Sequence, residues 1–171
     1  MTLRALGIFE RALSLSDQHT PFNVVSVLRL ESPPLPEILQ NALAVLQIRH
    51  PLLQAGIRAG KFERLANPSF SFEAIENQGE INWIVVVEQE MNTRLNPERE
   101  LFRATYIYNS RHGDLFLTFH HVIMDAAARL YCLFSFRVIF RSPPTYYRPL
   151  HIRAKPPKRS FPCGTRTILI T

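Results

Sequence analysis

Residues Phe22–Leu30 (FNVVSVLRL) place Phe22, Val24, Leu28 and Leu30 on one face, and the run is rich in β-branched residues, so it predicts a strand. Glu31-Ser-Pro-Pro breaks that pattern. Pro36 then fits the first turn of a helix, with the carboxylate of Glu37 beside the positive helix end. Ile38, Leu39, Ala42, Val45 and Leu46 recur at three- and four-residue steps and predict a buried stripe. Pro51, directly after His50, stops the helix. Leu53–Arg58, Phe62–Leu65 and Phe70–Ile75 read as short strands. The stretch Ile81–Leu95 carries both periods: WIVVV suits a strand, but Ile81, Ile84, Val87, Met91 and Leu95 share a helical face, which favours a helix. Leu101–Tyr108 and Asp114–His121 predict a hairpin across Asn109–Gly113, and a helix follows from near Ala126. Strands mixed with helices in this way predict a layered α/β or α+β unit.

With 171 residues and 46% apolar content, the chain has enough material for one packed domain. Its apolar runs fall short of the ~18–20 residues a membrane span needs. Glu10 and Arg11 interrupt the early apolar stretch, so no secretory leader is expected. Two cysteines, Cys132 and Cys163, make neither a disulfide framework nor a zinc site, which points to a reducing compartment such as the cytoplasm.

The formal charge of +6 suggests a nucleic-acid or anionic-membrane partner until its distribution is considered. Every acidic residue lies between Glu10 and Asp125. Residues 1–125 carry eleven basic against fourteen acidic groups, a net of −3, whereas residues 126–171 carry nine basic groups and no acidic one. From Ser142 onward neither helical nor alternating periodicity survives, and Pro143, Pro144, Pro149, Pro156, Pro157 and Pro162 oppose regular structure. A basic arm ordinarily lacks the aromatic, Cys and Ile residues found there (Tyr146, Tyr147, Phe161, Cys163, Ile168, Ile170). A Pro-rich linker is the second reading. The mixture fits best a changed reading frame or mis-assigned exon, so 129–171 is expected to stand outside the fold and nucleic acid is not the expected partner.

The segment DLFLTFHHVIMDAAA, residues 114–128, concentrates the candidate chemistry. Strand alternation puts His121 with Leu115, Leu117 and Phe119 on one face, and His120 with Phe116 and Thr118 on the other. Asp125 stands where it can cap the helix from Ala126. Adjacent histidines at a strand end are ordinarily satisfied polar groups, and an Asp before an alanine run is ordinarily an N-cap, so spacing alone leaves both the structural and the catalytic reading open. One His and one Asp are too few to ligate a metal, so no metal site is expected. A serine hydrolase would need a G-x-S-x-G turn, which is absent.

HHVIMDA resembles the HHxxxDG signature of the condensation-domain and chloramphenicol acetyltransferase-like superfamily of acyltransferases. LRALGIFERAL with FNVVSVLRL resembles that family's opening strand, helix and second strand. LPEILQNALAVLQIRHPLLQAGI resembles its next helix and strand, and LNPERELFRATYIYNSRHGDLFLTFHHVIMD the strand pair leading into the signature. HPLL and the LGIFE opening lean towards the alcohol acyltransferase branch, including phthiocerol/phthiodiolone dimycocerosyl transferases. The resemblance covers residues 3–128 and implies the N-terminal half of a chloramphenicol acetyltransferase-like two-layer sandwich, followed by an irregular Pro-rich tail.

It further implies that His121 is the general base, with His120 and Asp125 in support. The donor would be acyl-CoA or a phosphopantetheine-linked acyl-carrier protein, the acceptor an alcohol or amine, and no cofactor would stay bound. A neutral imidazole is suited to that proton transfer. Three departures follow. Ala126 replaces the usual Gly; Gln54 stands where an Arg partner for Asp125 is often found, leaving Arg58 as substitute; and the second half of the family's tunnel, with its DFGWG-type segment, has no counterpart. The expectation is therefore an N-terminal fragment with little turnover, and the rival is a non-catalytic pseudoenzyme or interaction module whose basic tail binds nucleic acid or lipid.

Overall fold

A computed structural model describes residues 2–80 and 82–141. Two sheets organise it. Strands β1 (Thr2–Ala5), β3 (Ala55–Arg58) and β4 (Lys61–Arg64) form an antiparallel sheet in the order β1-β4-β3. The larger sheet has the order β2-β7-β6-β5, from β2 (Asn23–Leu30), β7 (Gly113–His120), β6 (Phe102–Tyr108) and β5 (Ser71–Glu76). Only its β5–β6 pair is parallel, and α3 (Trp83–Asn92) makes the crossover that a parallel pair requires.

The predicted elements from Phe22 to Ala126 all appear, and the ambiguous stretch after residue 80 is helical. Residues 51–54 depart from expectation: they form a 3₁₀ turn ahead of β3. Helix α2 (Pro36–Arg49) does start on Pro36 and gives way at His50. Its buried face is rotated from the predicted stripe. Leu39, Ala42 and Leu46 are buried as expected, but so are Leu43, Ala44 and Gln47, while Ile38 is 50% exposed. The cause is a second covering element, because α4 (Ala126–Arg141) packs on α2 and brings Cys132, Phe136 and Ile139 into the same core. Helix α4 thus runs through position 128, where the sequence reading ends the folded unit. The Pro-rich stretch from residue 142 lies outside the described residues.

Helix α1 (Ile8–His19) begins with the Gly7 N–H donating to Glu10 Oε2 at 2.7 Å, and Glu10 also receives a two-pronged hydrogen bond from Arg4 at 2.6 and 2.7 Å. In the large sheet every residue of β7 is buried, since α2 and α4 cover one face and α3 the other. Val25, Val27, Ile75, Ile107 and Phe116 meet Trp83, Val86 and Val87 on the α3 side. Leu115, Leu117, Phe119, Ala104 and Tyr106 belong to the opposite core.

The β6–β7 hairpin is set by Asn109, whose Oδ1 accepts the N–H groups of Arg111 and His112 at 2.8 and 3.0 Å. At its base, a Cβ on Gly113 would fall 2.6 Å from Tyr106 Cε2 and Oη. Tyr106 cannot retreat: its ring is fully buried against Tyr108 at 4.9 Å, and its hydroxyl donates to the Pro34 carbonyl at 3.1 Å. Gly113→Ala therefore destabilises the fold by about 1–3 kcal/mol, the usual cost of overpacking. A chemical-denaturation midpoint equal to wild type would contradict this packing.

Candidate active site

The two histidines stand at the junction of β7 with a 3₁₀ turn spanning His121–Ile123, and their surroundings differ. His120 ends the strand with its N–H on the Leu101 carbonyl at 2.9 Å, and only 1% of it is exposed. Its Nδ1 accepts the Val122 N–H at 3.2 Å. The neutral ring then carries its proton on Nε2, which lies 3.6 Å from Asp17 Oδ2. Burial pushes His120 below the ordinary imidazole range, assisted by His121 and Arg94, and Asp17 only partly restores it.

Asp17 ties this turn to α1. Its Oδ1 accepts the Phe22 N–H at 2.8 Å, and its Oδ2 stands 3.6 Å from both Arg94 Nε and His120 Nε2. Sequence reasoning missed Asp17. The available signal was its position in the last turn of a helix, where a carboxylate opposes the helix dipole and so earns its place elsewhere.

His121 takes its place from Phe22 instead. Its N–H donates to the Phe22 carbonyl at 2.9 Å, and its ring stacks on the Phe22 ring at 4.9 Å between centroids and 14° between planes. The residue is partly exposed. Its Nδ1 is buried without a hydrogen-bond partner among the described residues, which leaves Nε2 as the nitrogen that a reacting group can approach. Asp17 therefore holds the strand start that carries the Phe22 platform.

Asp125 is exposed and accepts the Ala128 N–H at 2.7 Å, so it N-caps α4. The expected arginine partner is not found: among the described residues Asp125 makes no ion pair. Arg58 lies 3.9 Å from Glu98. Gln54 turns away, donating to the Gln47 and Ile48 carbonyls at 3.0 Å each and accepting from Arg64 at 3.0 Å. It thereby satisfies carbonyls left open at the end of α2. Ala126 is the first residue of α4 and adopts helical backbone, a conformation open to any L-residue.

Because His120 is held neutral, the folded state binds fewer protons than the unfolded chain below about pH 6.5. Its contribution is complete above that value and is lost as pH falls through the lower folded-state value. His50, lowered chiefly by burial and secondarily by Arg49, acts in the same direction. Unfolding midpoints measured from pH 7 to pH 5 are expected to decline, and His120→Asn to decline less steeply. An unchanged slope in that variant would remove His120 from the account.

Among the described residues no group of three His, Cys, Asp or Glu could hold a metal ion, and no helix is long and apolar enough to cross a membrane. No protein-family model matches the sequence, and no curated protein matches it significantly. Solved structures do match. A variant of the starter condensation domain of rhizomide synthetase RzmA aligns with a TM-score of 0.69 at 14% identity, over 82% of this chain and 38% of that chain. Another variant of that domain, in complex with C8-CoA and Leu-SNAC, gives 0.68 at 14% identity, over 79% and 34%. SgcC5 protein from Streptomyces globisporus, in complex with (R)-(-)-1-(2-naphthyl)-1,2-ethanediol and sucrose, gives 0.61 at 20% identity, over 85% and 38%. The chain thus has the condensation-domain, chloramphenicol acetyltransferase-like fold over the extent of a half domain. It spans little more than a third of the length of these neighbours.

Proposed function

We propose that the chain takes part in acyl transfer from a thioester to a hydroxyl or amine, with His121 as general base. The supporting observation is the division of labour between the two histidines. His120 is buried with both ring nitrogens facing protein groups, whereas His121 is partly exposed, has no hydrogen bond to its ring among the described residues and is held flat against Phe22. Nε2 would take the acceptor's proton as its oxygen or nitrogen forms the new bond to the thioester carbonyl carbon. The resulting oxyanion would collapse with cleavage of the C–S bond, and the leaving thiolate would recover the proton from the imidazolium.

The neighbour solved with C8-CoA and Leu-SNAC supports an acyl-CoA donor and an amine-bearing acceptor. Asp125 supports the site by capping α4 directly after the turn, and His120 by bracing that turn. We propose too that transfer at full rate needs a second surface opposite His121, since positioning of both reactants is a large part of the barrier reduction. The chain alone is then a slow catalyst.

The test follows radiolabelled acyl transfer from an acyl-CoA to hydroxyl and amine acceptors with the full chain. Slow, acceptor-dependent transfer that disappears in His121→Ala is the expected result. Transfer no faster than without protein would overturn catalysis by this chain and favour a non-catalytic module.

A further inference from the structure

Strand β2 forms one edge of the large sheet and, among the described residues, pairs only with β7. The register decides which of its backbone groups that pairing uses. His121 donates its N–H to the Phe22 carbonyl at 2.9 Å, and the ladder then runs in step from Asn23 opposite His120 to Leu30 opposite Gly113. Antiparallel alternation therefore turns the N–H and C=O of Val24, Ser26 and Leu28 towards β7, and those of Asn23, Val25, Val27 and Arg29 outwards. Among the described residues no hydrogen bond reaches these outward groups.

An open edge is ordinarily protected from other chains by proline, a bulge or an uncompensated charge. Strand β2 has none of these. It contains no proline, and its eight residues pair with β7 without a register shift. Its single charge is compensated, because Arg29 donates to both carboxylate oxygens of Asp114 at 2.8 and 2.9 Å. The opposite edge, β5, is shorter and carries Glu73 and Glu76. Val24, Val25, Val27 and Leu28 remain half-buried, whereas every residue of the interior strand β7 is buried. The β2 edge thus combines apolar side chains with unused ladder groups, the chemistry that receives another strand.

We propose that two copies of this chain associate by antiparallel pairing of β2 with β2 about a twofold axis at Ser26, joining their four-stranded sheets into one. The strand's own sequence selects a second copy as the partner. Val-Val-Ser-Val-Leu, residues 24–28, reads nearly alike in both directions from Ser26. The twofold therefore sets Val25 opposite Val27 of the second copy and Val24 opposite its Leu28, apolar against apolar on each face. The outward N–H and C=O groups of Val25 and Val27 bond across in reciprocal pairs. Arg29 falls opposite the uncharged Asn23, so no like charges meet, and Phe22, 38% exposed, falls opposite Leu30. Moving the axis to Val27 would instead set Arg29 against Val25. This pairing does not depend on acyl transfer.

Sedimentation equilibrium on the full chain is expected to show monomer and dimer with a dissociation constant of about 30 µM, the weak range suited to a narrow interface. Amide exchange read residue by residue locates the contact. Between about 20 µM and about 1 mM protein, the Val25 and Val27 amides are expected to slow about fivefold as monomer is depleted, while those on the outer edge of β5 stay unchanged. Val27→Pro removes one outward N–H and leaves the ladder to β7 in place, a change that an edge strand tolerates, so this variant should be folded and monomeric. A wild-type chain that is monomeric at the higher concentration overturns the proposal. So does a dimer in which Val25 and Val27 exchange as fast as in the monomer, or a Val27→Pro dimer as tight as wild type. Protection of these amides that ignores concentration also overturns it, by assigning the edge to an intramolecular occupant. The exchange comparison on the wild-type chain decides the matter even if the variant does not fold.

Discussion

Replacing Glu90 by alanine lowers the unfolding free energy by about 3–5 kcal/mol, the range found when one member of a buried ion pair is removed. Glu90 lies on α3 facing the large sheet and is 8% exposed. Its Oε2 accepts from Arg103 Nε at 2.5 Å and from the Thr118 hydroxyl at 2.8 Å, while Oε1 accepts from the Thr105 hydroxyl at 2.8 Å. The same corner closes the end of the helix: Asn23 donates to the Glu90 and Thr93 carbonyls at 3.0 and 2.9 Å, and Arg103 to both at 2.8 Å. Alanine would leave the Arg103 Nε and two hydroxyls without their carboxylate and the guanidinium without its counter-charge, although its bonds to the Glu90 and Thr93 carbonyls would remain. Glu90→Gln preserves shape and loses the charge, so it should fall between alanine and wild type. Urea unfolding at neutral pH measures both, and a loss below about 1 kcal/mol in the alanine variant would show that the network is not structural.

That network explains what the sequence could and could not disclose. The elements were legible because their periods are local: β2 alternates, α2 opens on Pro36, and the Asn109–Gly113 turn joins two strands. Glu90 was not legible, because its partners are set by where α3 crosses the sheet, and Asn23 is 67 residues away along the chain. The turn of α2 towards Leu43 and away from Ile38 was hidden for a related reason. It depends on where α4 packs, a contact between residues about ninety positions apart that no local period records.

Of the histidine pair, alternation placed His120 with Thr118 and Phe116 on β7 as expected, but His121, read as the last strand residue, lies past the strand in the 3₁₀ turn. Which of the two is reachable was not legible. That depends on Asp17 and Phe22, a helix end and a strand start brought to the turn by β2–β7 pairing, in which Asn23 lies opposite His120. The expected Asp125–arginine pair illustrates the opposite error. A family pattern supplied the partner, but Gln54 is engaged with the end of α2 and Arg58 approaches Glu98, leaving Asp125 to the local task of capping.

His121→Ala is expected to reduce acceptor-dependent acyl transfer by about 10²–10⁴-fold, the usual worth of a positioned general base, while leaving stability nearly unchanged. The two parts of this prediction rest on the same contacts. The ring touches Phe22 and forms no hydrogen bond among the described residues, so removing it forfeits one aromatic stack and leaves the backbone anchor, the His121 N–H on the Phe22 carbonyl, intact. His120→Ala reverses the pattern. It leaves the Val122 N–H and the Asp17 carboxylate without their ring, loosening both the turn and the strand start beneath Phe22, so stability falls together with rate. Measuring transfer rates and urea midpoints on both variants separates a chemical role from a supporting one. If His121→Ala keeps the wild-type rate, or if His120→Ala loses rate at full stability, the base has been assigned to the wrong histidine.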